Sequence, residues 1–237
     1  MEFQSAQDAA KYAAGRRAVQ EYLKDGMKVG LGSGTTSHWF VRGLAEFVAE
    51  GLDIVGVPTS RGTRDLALEL GVRLADLNDL APLDVTIDGA DEIDGDGSMI
   101  KGGGACLLWE KIVAHASERM ICVVDDSKLV ETLGAFPLPL EVVQFGWKTT
   151  RHSVRELLAA AGYGDVELAR RTVGEEPLVT DSGNYILDAE LGRITDKALL
   201  VDRLNRIPGV VENGLFVGVA AETVVGHADG GADIVSY

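Results

Sequence analysis

Residues 27–50 read MKVGLGSGTTSHWFVRGLAEFVAE. An apolar run over 27–31 breaks into glycines and hydroxyls. Apolar residues then return at Phe40, Val41, Leu44, Phe47 and Val48. That three-and-four spacing is helical, so the segment reads as strand, loop and helix. Three more runs in the first 130 residues share the pattern. They are 54–57 into PTSRGT, 85–87 into DGADE, and 121–124 into DDSK. Helical segments at 64–71 and 105–118 lie between them. Strands alternating with helices predict βαβ units and a parallel sheet. Ligands of such sheets bind beyond the carboxyl ends of the strands, and all four runs place their polar residues there.

The texture changes near Phe136. FPLPLEVV, a helix over 153–162, strand-like 165–171, a strand over 184–190, a helix over 196–207 and strand-like 209–219 follow. This order, roughly βαββαβ, predicts a small α+β unit of ferredoxin-like type. The predicted organisation is a main domain of residues 1–134 and 210–237, with a small lid domain of 135–209 between its parts. The fold class is α/β: a mostly parallel sheet with helices on both faces, plus that lid.

The chain has 237 residues, 46% hydrophobic and 25% charged, enough for a packed core. A net charge of −15 argues against nucleic acid as a partner. It also disfavours an anionic substrate, unless the site concentrates positive potential locally. No apolar run reaches the length of a membrane span and the N-terminus has no apolar signal core, so a cytoplasmic location is expected. Cys106 and Cys122 match neither a zinc spacing nor a disulfide framework and read as buried thiols.

Four motifs carry possible chemistry. GLGSGTTS (30–37) joins a strand to a helix start, where free N–H groups and the hydroxyls of Ser33, Thr35 and Thr36 suit a phosphate monoester or similar small anion. It lacks the lysine of a nucleotide P-loop. As a dinucleotide fingerprint its third glycine comes one residue early. DGADEIDGDG (88–97) fails as a calcium loop, because in the best register the bidentate position is Gly103. Asp94 and Asp96 therefore read as solvated turn residues, whereas Asp88 and Asp91 sit at a strand end where the site is expected. KGGGACLLWEK (101–111) puts Lys101 and a glycine loop before a helix. There Glu110 shares a small apolar face with Leu107, Ala114 and Ser117. Desolvation on that face would raise its pKa and suit it to proton transfer, and an exposed glutamate is the alternative. VVDDSK adds Lys128 at the fourth strand's end.

Together GLGSGTT, TSRGTRDLALELG, DVTIDGADEID, IKGGGACLLWEKI, CVVDDSK and FPLPLEV resemble the ribose-5-phosphate isomerase type A family, in family order from about residue 9 to the tail. The combination of IDGADE, KGGGA and a glutamate nine residues after the lysine is the specific part. The resemblance implies a Rossmann-like main domain with a lid, assembled as a homodimer or homotetramer. It implies interconversion of ribose 5-phosphate and ribulose 5-phosphate without metal or organic cofactor. Glu110 matches the general base. Asp88 and Asp91 match the acids of the D-G-A-D element, with Gly89 and Ala90 between them. Lys101 matches the active-site lysine, followed by Gly102, Gly103 and Gly104. Ser33, Gly34, Thr35 and Thr36 match the substrate loop, Lys128 a substrate-binding lysine and, more loosely, Lys11 a phosphate-approaching lysine. Trp109 stands where members often carry a polar or basic residue. On this reading Glu110 moves the proton between C2 and C1, and Lys101 with the glycine loop steadies the oxyanion. Asp88 assists ring opening, and Asp91 holds hydroxyls or orients Lys101. A sugar-phosphate sensor domain, a sugar-phosphate deaminase and an acyl-CoA transferase are rival readings of a similar scaffold.

Overall fold

A computed structural model describes residues 3–237, so residues 1 and 2 of the expected main domain lie outside the described residues. The four runs form the strands Lys28–Leu31, Val55–Pro58, Val85–Asp88 and Met120–Asp125, parallel to one another. Ala220–Gly226 extends the sheet in parallel beside Met120–Asp125, and Ala232–Ser236 closes that edge antiparallel. From the opposite edge the order is Val55–Pro58, Lys28–Leu31, Val85–Asp88, then Met120–Asp125. The chain therefore leaves Lys28–Leu31 toward one side and returns to its other side. This reversal opens a crevice between the ends of Lys28–Leu31 and Val85–Asp88.

Strand alternation divides the core. Val29, Leu31, Val85, Ile87, Ile121, Val123 and Val224 meet Ala6–Tyr22, Gly34–Ala49 and Arg61–Glu69 on one face. Met120, Cys122, Val124 and Val225 face the other way, against Ile93, Met99 and Phe216. Helices were expected on both faces. The second face carries the helix Leu107–His115, whose Val113 packs with Val57 and Leu83, and a three-stranded sheet. That sheet consists of Glu92–Ile93, Met99–Ile100 and Leu215–Phe216, segments too short for helices. Caps fix several helix starts. Ser5 Oγ accepts the Asp8 N–H at 3.1 Å, and Ser60 Oγ accepts that of Thr63 at 3.0 Å.

A second, fully antiparallel sheet orders Val210–Asn213, Leu138–Val142, Tyr185–Ala189 and Leu168–Arg170 side by side. With the helices Trp147–Ala160 and Lys197–Leu204 it completes the βαββαβ order. Leu138, Leu140, Val142, Val154, Leu158, Leu187, Leu200 and Leu204 form its own core. One boundary differs from the sequence reading. Residues 209–219 read as the last strand of the small unit while the main domain was drawn to resume at 210, and Val210–Asn213 does pair with Leu138–Val142 in the small sheet. The chain crosses over only at Gly214, and Leu215 then pairs with Ile100.

Candidate active site

The crevice is closed at its base by one carboxylate. Gly32 N–H donates to Ile87 O at 3.0 Å, drawing the first loop against the third strand. Any Cβ on Gly32 would collide with the Asp88 carboxylate, so glycine is required for this approach. Asp88 is fully buried. Its Oδ1 accepts from Ser33 N–H (3.0 Å), Ser37 Oγ (2.9 Å) and Gly89 N–H (2.7 Å). Its Oδ2 lies 3.0 Å from Lys101 Nζ.

Lys101 reaches this point because Met99–Ile100 pairs with both Glu92–Ile93 and Leu215–Phe216, and the Lys101 N–H donates to Gly214 O at 2.9 Å. Its side chain is 2% exposed. Nζ donates to Gly89 O at 2.6 Å and stands 3.3 Å from Glu110 Oε2. Burial alone would push the lysine pKa down, but Asp88 and Glu110 more than offset it and hold the ammonium protonated. Asp88 Oδ2 and Glu110 Oε2 have no conventional hydrogen-bond partner and share only the nearness of that ammonium.

Glu110 lies one turn into Leu107–His115 and is 3% exposed, so the desolvated alternative holds over the exposed one. The helix is entered through Ala105 at φ 59°, a left-handed conformation costing about 1 kcal/mol for a residue with a Cβ. Burial raises the Glu110 pKa, Lys101 opposes the rise and Asp88 adds to it; the balance pushes it up to about 8. One ammonium shared by two dry carboxylates leaves one of them avid for a proton, which is the electrostatic state a general base needs.

A cavity of about 90 Å³ opens above this cluster. It is lined by Lys11, Ser33, Gly34, Thr35, Thr36, Gly89, Ala90, Asp91, Lys101, Gly102, Gly103, Gly104, Glu110 and Lys128. Asp88 alone among the expected residues is missing from the lining. Its Oδ2 lies against Lys101 Nζ, so Asp88 adjoins the cavity through that ammonium and not as part of its wall. Asp91 does reach the cavity, and its Oδ2 accepts the Gly103 N–H at 2.7 Å.

At the other end, the helix Gly34–Ala49 begins without a side-chain cap. Among the described residues nothing accepts from the Gly34, Thr35 or Thr36 N–H groups, which face the cavity end as an anion-binding helix start does. Lys11 Nζ donates to Thr35 Oγ1 at 3.1 Å, and Lys128 is half-buried with no ion pair among the described residues. Ser33 departs from expectation. Its hydroxyl turns away to Thr59 (2.7 Å), Ser60 (2.8 Å) and Thr63 (3.1 Å), so it braces the loop from behind.

Other expectations need correcting. Asp96 is solvated, but Asp94 is buried; both bind Lys197, at 2.7 Å from Asp94 and 2.6 Å from Asp96, tying the small sheet's helix to the acidic turn. Cys122 is buried, whereas Cys106 is half-buried and donates its thiol to Gly104 O at 3.1 Å. Trp109 is half-buried, with its indole N–H on Ser182 Oγ at 2.8 Å. The TSRGT hydroxyls were visible as a polar strand end and went unassigned. Arg171, which donates to the carbonyls of Gly102 and Gly103, had no local signal at all. Among the described residues no group of three or more His, Cys, Asp or Glu side chains is placed to hold a metal ion.

This arrangement has close counterparts. The family model described as ribose 5-phosphate isomerase A (phosphoriboisomerase A) matches residues 55–230. Ribose-5-phosphate isomerase A 2 of Yersinia pseudotuberculosis is 55% identical over 225 residues, 94% of this chain and 95% of the relative. Ribose-5-phosphate isomerase A of Cereibacter sphaeroides is 54% identical, over 94% of this chain and 89% of the relative. A solved D-ribose-5-phosphate isomerase in complex with phospho-erythronic acid superposes with a TM-score of 0.89 at 36% identity, covering 98% and 99% of the two chains. The ribose 5-phosphate isomerase of Plasmodium falciparum gives 0.91 at 31% identity, covering 97% and 99%.

Proposed function

The chain belongs to the ribose 5-phosphate isomerase A family and interconverts ribose 5-phosphate and ribulose 5-phosphate, and from that premise we propose how its residues divide the reaction. The observation that carries the division is the buried cluster of Glu110, Lys101 and Asp88 at one end of a cavity whose other end offers helix N–H groups without acceptors and lysines without ion pairs among the described residues. The phosphate binds at Gly34–Thr36 with Lys128 and Lys11. The sugar carbons extend toward Glu110.

Glu110 acts as the base on one face. The C2–H bond breaks to its carboxylate, and the C1 carbonyl oxygen takes up negative charge as the cis-enediolate forms. A proton passes from O2 to O1, and Glu110 returns its proton to C1. Lys101 and the N–H groups of the glycine loop oppose the developing charge. Phospho-erythronic acid, bound by the related enzyme, carries a planar carboxylate on a phosphorylated chain, the shape and charge of such an enediolate. Ring opening falls to Asp91, the acid that meets the cavity beside Glu110, and Asp88 acts through Lys101 by holding the ammonium in place.

We propose that neither metal nor organic cofactor takes part, the charge being met by Lys101 and backbone N–H groups. Chelator-treated enzyme should keep its activity, and activity lost and then restored by a divalent ion would contradict this. The family resemblance also supports a cytoplasmic homodimer or homotetramer, checked by sedimentation of the purified chain. No helix among the described residues is long and apolar enough to cross a membrane. Mixing the chain with ribose 5-phosphate and following ketose formation tests the function and separates it from a sensor, a deaminase and a transferase. Binding without ketose would defeat it.

A further inference from the structure

Arg171 directly follows the small-sheet strand Leu168–Arg170, nearly 70 residues after the glycine loop, yet its side chain ends on that loop. Nη1 donates to Gly102 O at 2.7 Å and to Gly103 O at 3.0 Å. Nε donates to Asp188 Oδ2 at 2.8 Å, and Nη2 to Asp188 Oδ1. Asp188 lies on Tyr185–Ala189, and the Arg171 backbone is itself anchored, its N–H donating to Ile186 O at 2.9 Å and its carbonyl accepting from Leu178 N–H at 3.0 Å. The guanidinium is therefore fixed on one side by a two-pronged carboxylate and spends its remaining prong on two carbonyls.

A trans peptide is planar, so its C=O and N–H point in opposite directions. The carbonyls of Gly102 and Gly103 share peptide planes with the N–H groups of Gly103 and Gly104. Pinning both carbonyls on the small-sheet side turns both N–H groups the other way. The Gly103 N–H meets Asp91, a cavity residue. The Gly104 N–H has no acceptor among the described residues, and Gly104 lines the cavity. A cation on a carbonyl also polarises the peptide and strengthens its N–H as a donor. The Ala105 N–H also holds the Gly102 carbonyl, at 2.9 Å, so Arg171 adds a second donor there and a side-chain donor to the Gly103 carbonyl.

We infer that Arg171, held by Asp188, is a positioning residue that presets the unengaged Gly104 N–H for the negative charge arising in the isomerisation, and so makes the oxyanion site depend on the small domain. This rests on the enediolate chemistry proposed above. It differs from a phosphate-binding or merely structural role, because the Gly104 N–H it aims is used most in the transition state.

The test compares Arg171→Ala and Arg171→Lys with the wild type, the lysine variant keeping a charge beside Asp188 without the fork. In both, kcat should fall by about tenfold or more, part of what one lost oxyanion donor costs, while KM for ribose 5-phosphate stays within about threefold. Inhibition by phospho-erythronic acid should weaken in step with kcat/KM, and inhibition by inorganic phosphate should not change. If the alanine variant does not fold, the lysine variant alone decides. Wild-type kcat in the folded variants, or a loss carried by KM with weaker phosphate inhibition, would overturn the inference. A wild-type chain that makes no ketose would instead defeat the functional proposal.

Discussion

The two ends of the cavity are built on opposite principles. At the sugar end, Lys101, Asp88 and Glu110 are almost wholly buried and each depends on the others: one ammonium serves two carboxylates, and Asp88 is itself held by three donors. At the proposed phosphate end the parts depend less on one another. A bare helix start and the half-buried Lys128 have no bond to each other, and the buried Lys11 touches the helix start only through one hydrogen bond to the neutral Thr35 hydroxyl. A dry interdependent cluster can tune a pKa, which the chemistry requires. An assembly of separate donors grips a dianion but tunes little. Loss of one part should therefore be severe at the first end and graded at the second.

The sharpest break would come from Lys101→Met. It leaves two buried carboxylates without their cation, so turnover should vanish and stability should drop by about 3–5 kcal/mol, as for other broken buried pairs. Chemical denaturation beside a turnover assay checks both. A variant with native stability would show that the cluster is not interdependent. Next comes Glu110→Gln, which should fold and still bind sugar phosphate while kcat falls by about 10²–10⁴-fold. At the phosphate end, Lys128→Ala should raise KM by about tenfold, or 1.4 kcal/mol, with kcat nearly unchanged. A large kcat effect there would erase the contrast between the ends.

Two pH effects sharpen it further. Glu110 must be ionised to accept a proton, and its pKa is raised to about 8, so kcat/KM should climb with pH through that region. A limb near the ordinary glutamate range would contradict the desolvated cluster. The smallest effect is on stability. A buried carboxyl with a raised folded pKa keeps its proton when the unfolded chain has already lost it. Stability therefore falls as pH rises from about 4.3, the unfolded glutamate pKa, through about 8, the folded value. Glu110→Gln should flatten that fall when melting is compared between pH 5 and 8.

The same contrast governs what could be read from the chain beforehand. Separate parts are local, and local patterns announce them. Four β-branched runs with polar ends were enough for the parallel sheet, and GSGTT at a strand–helix junction for the uncapped helix start proposed to bind the anion. The glutamate on the face of Leu107 and Ala114 was legible too, because helical spacing alone puts it there. Interdependent parts were harder. Asp88 looked like a residue facing substrate because apolar Val85–Ile87 seemed to end before it, yet Asp88 still pairs in register with Cys122 and stays inside the strand. Asp94 looked solvated because its partner Lys197 is over a hundred residues away. Arg171 was invisible for the same reason. What local sequence withholds is which distant group removes water from a charge.

The most direct test of the central claim is to run Glu110→Gln and wild type on ribose 5-phosphate in D2O, following deuterium at C1 and C2 by NMR. The account predicts that loss of the C2 proton and ketose formation both slow by at least about 100-fold in the variant, which still binds phospho-erythronic acid. A variant that binds the inhibitor and exchanges the C2 proton near the wild-type rate would show that another group is the base.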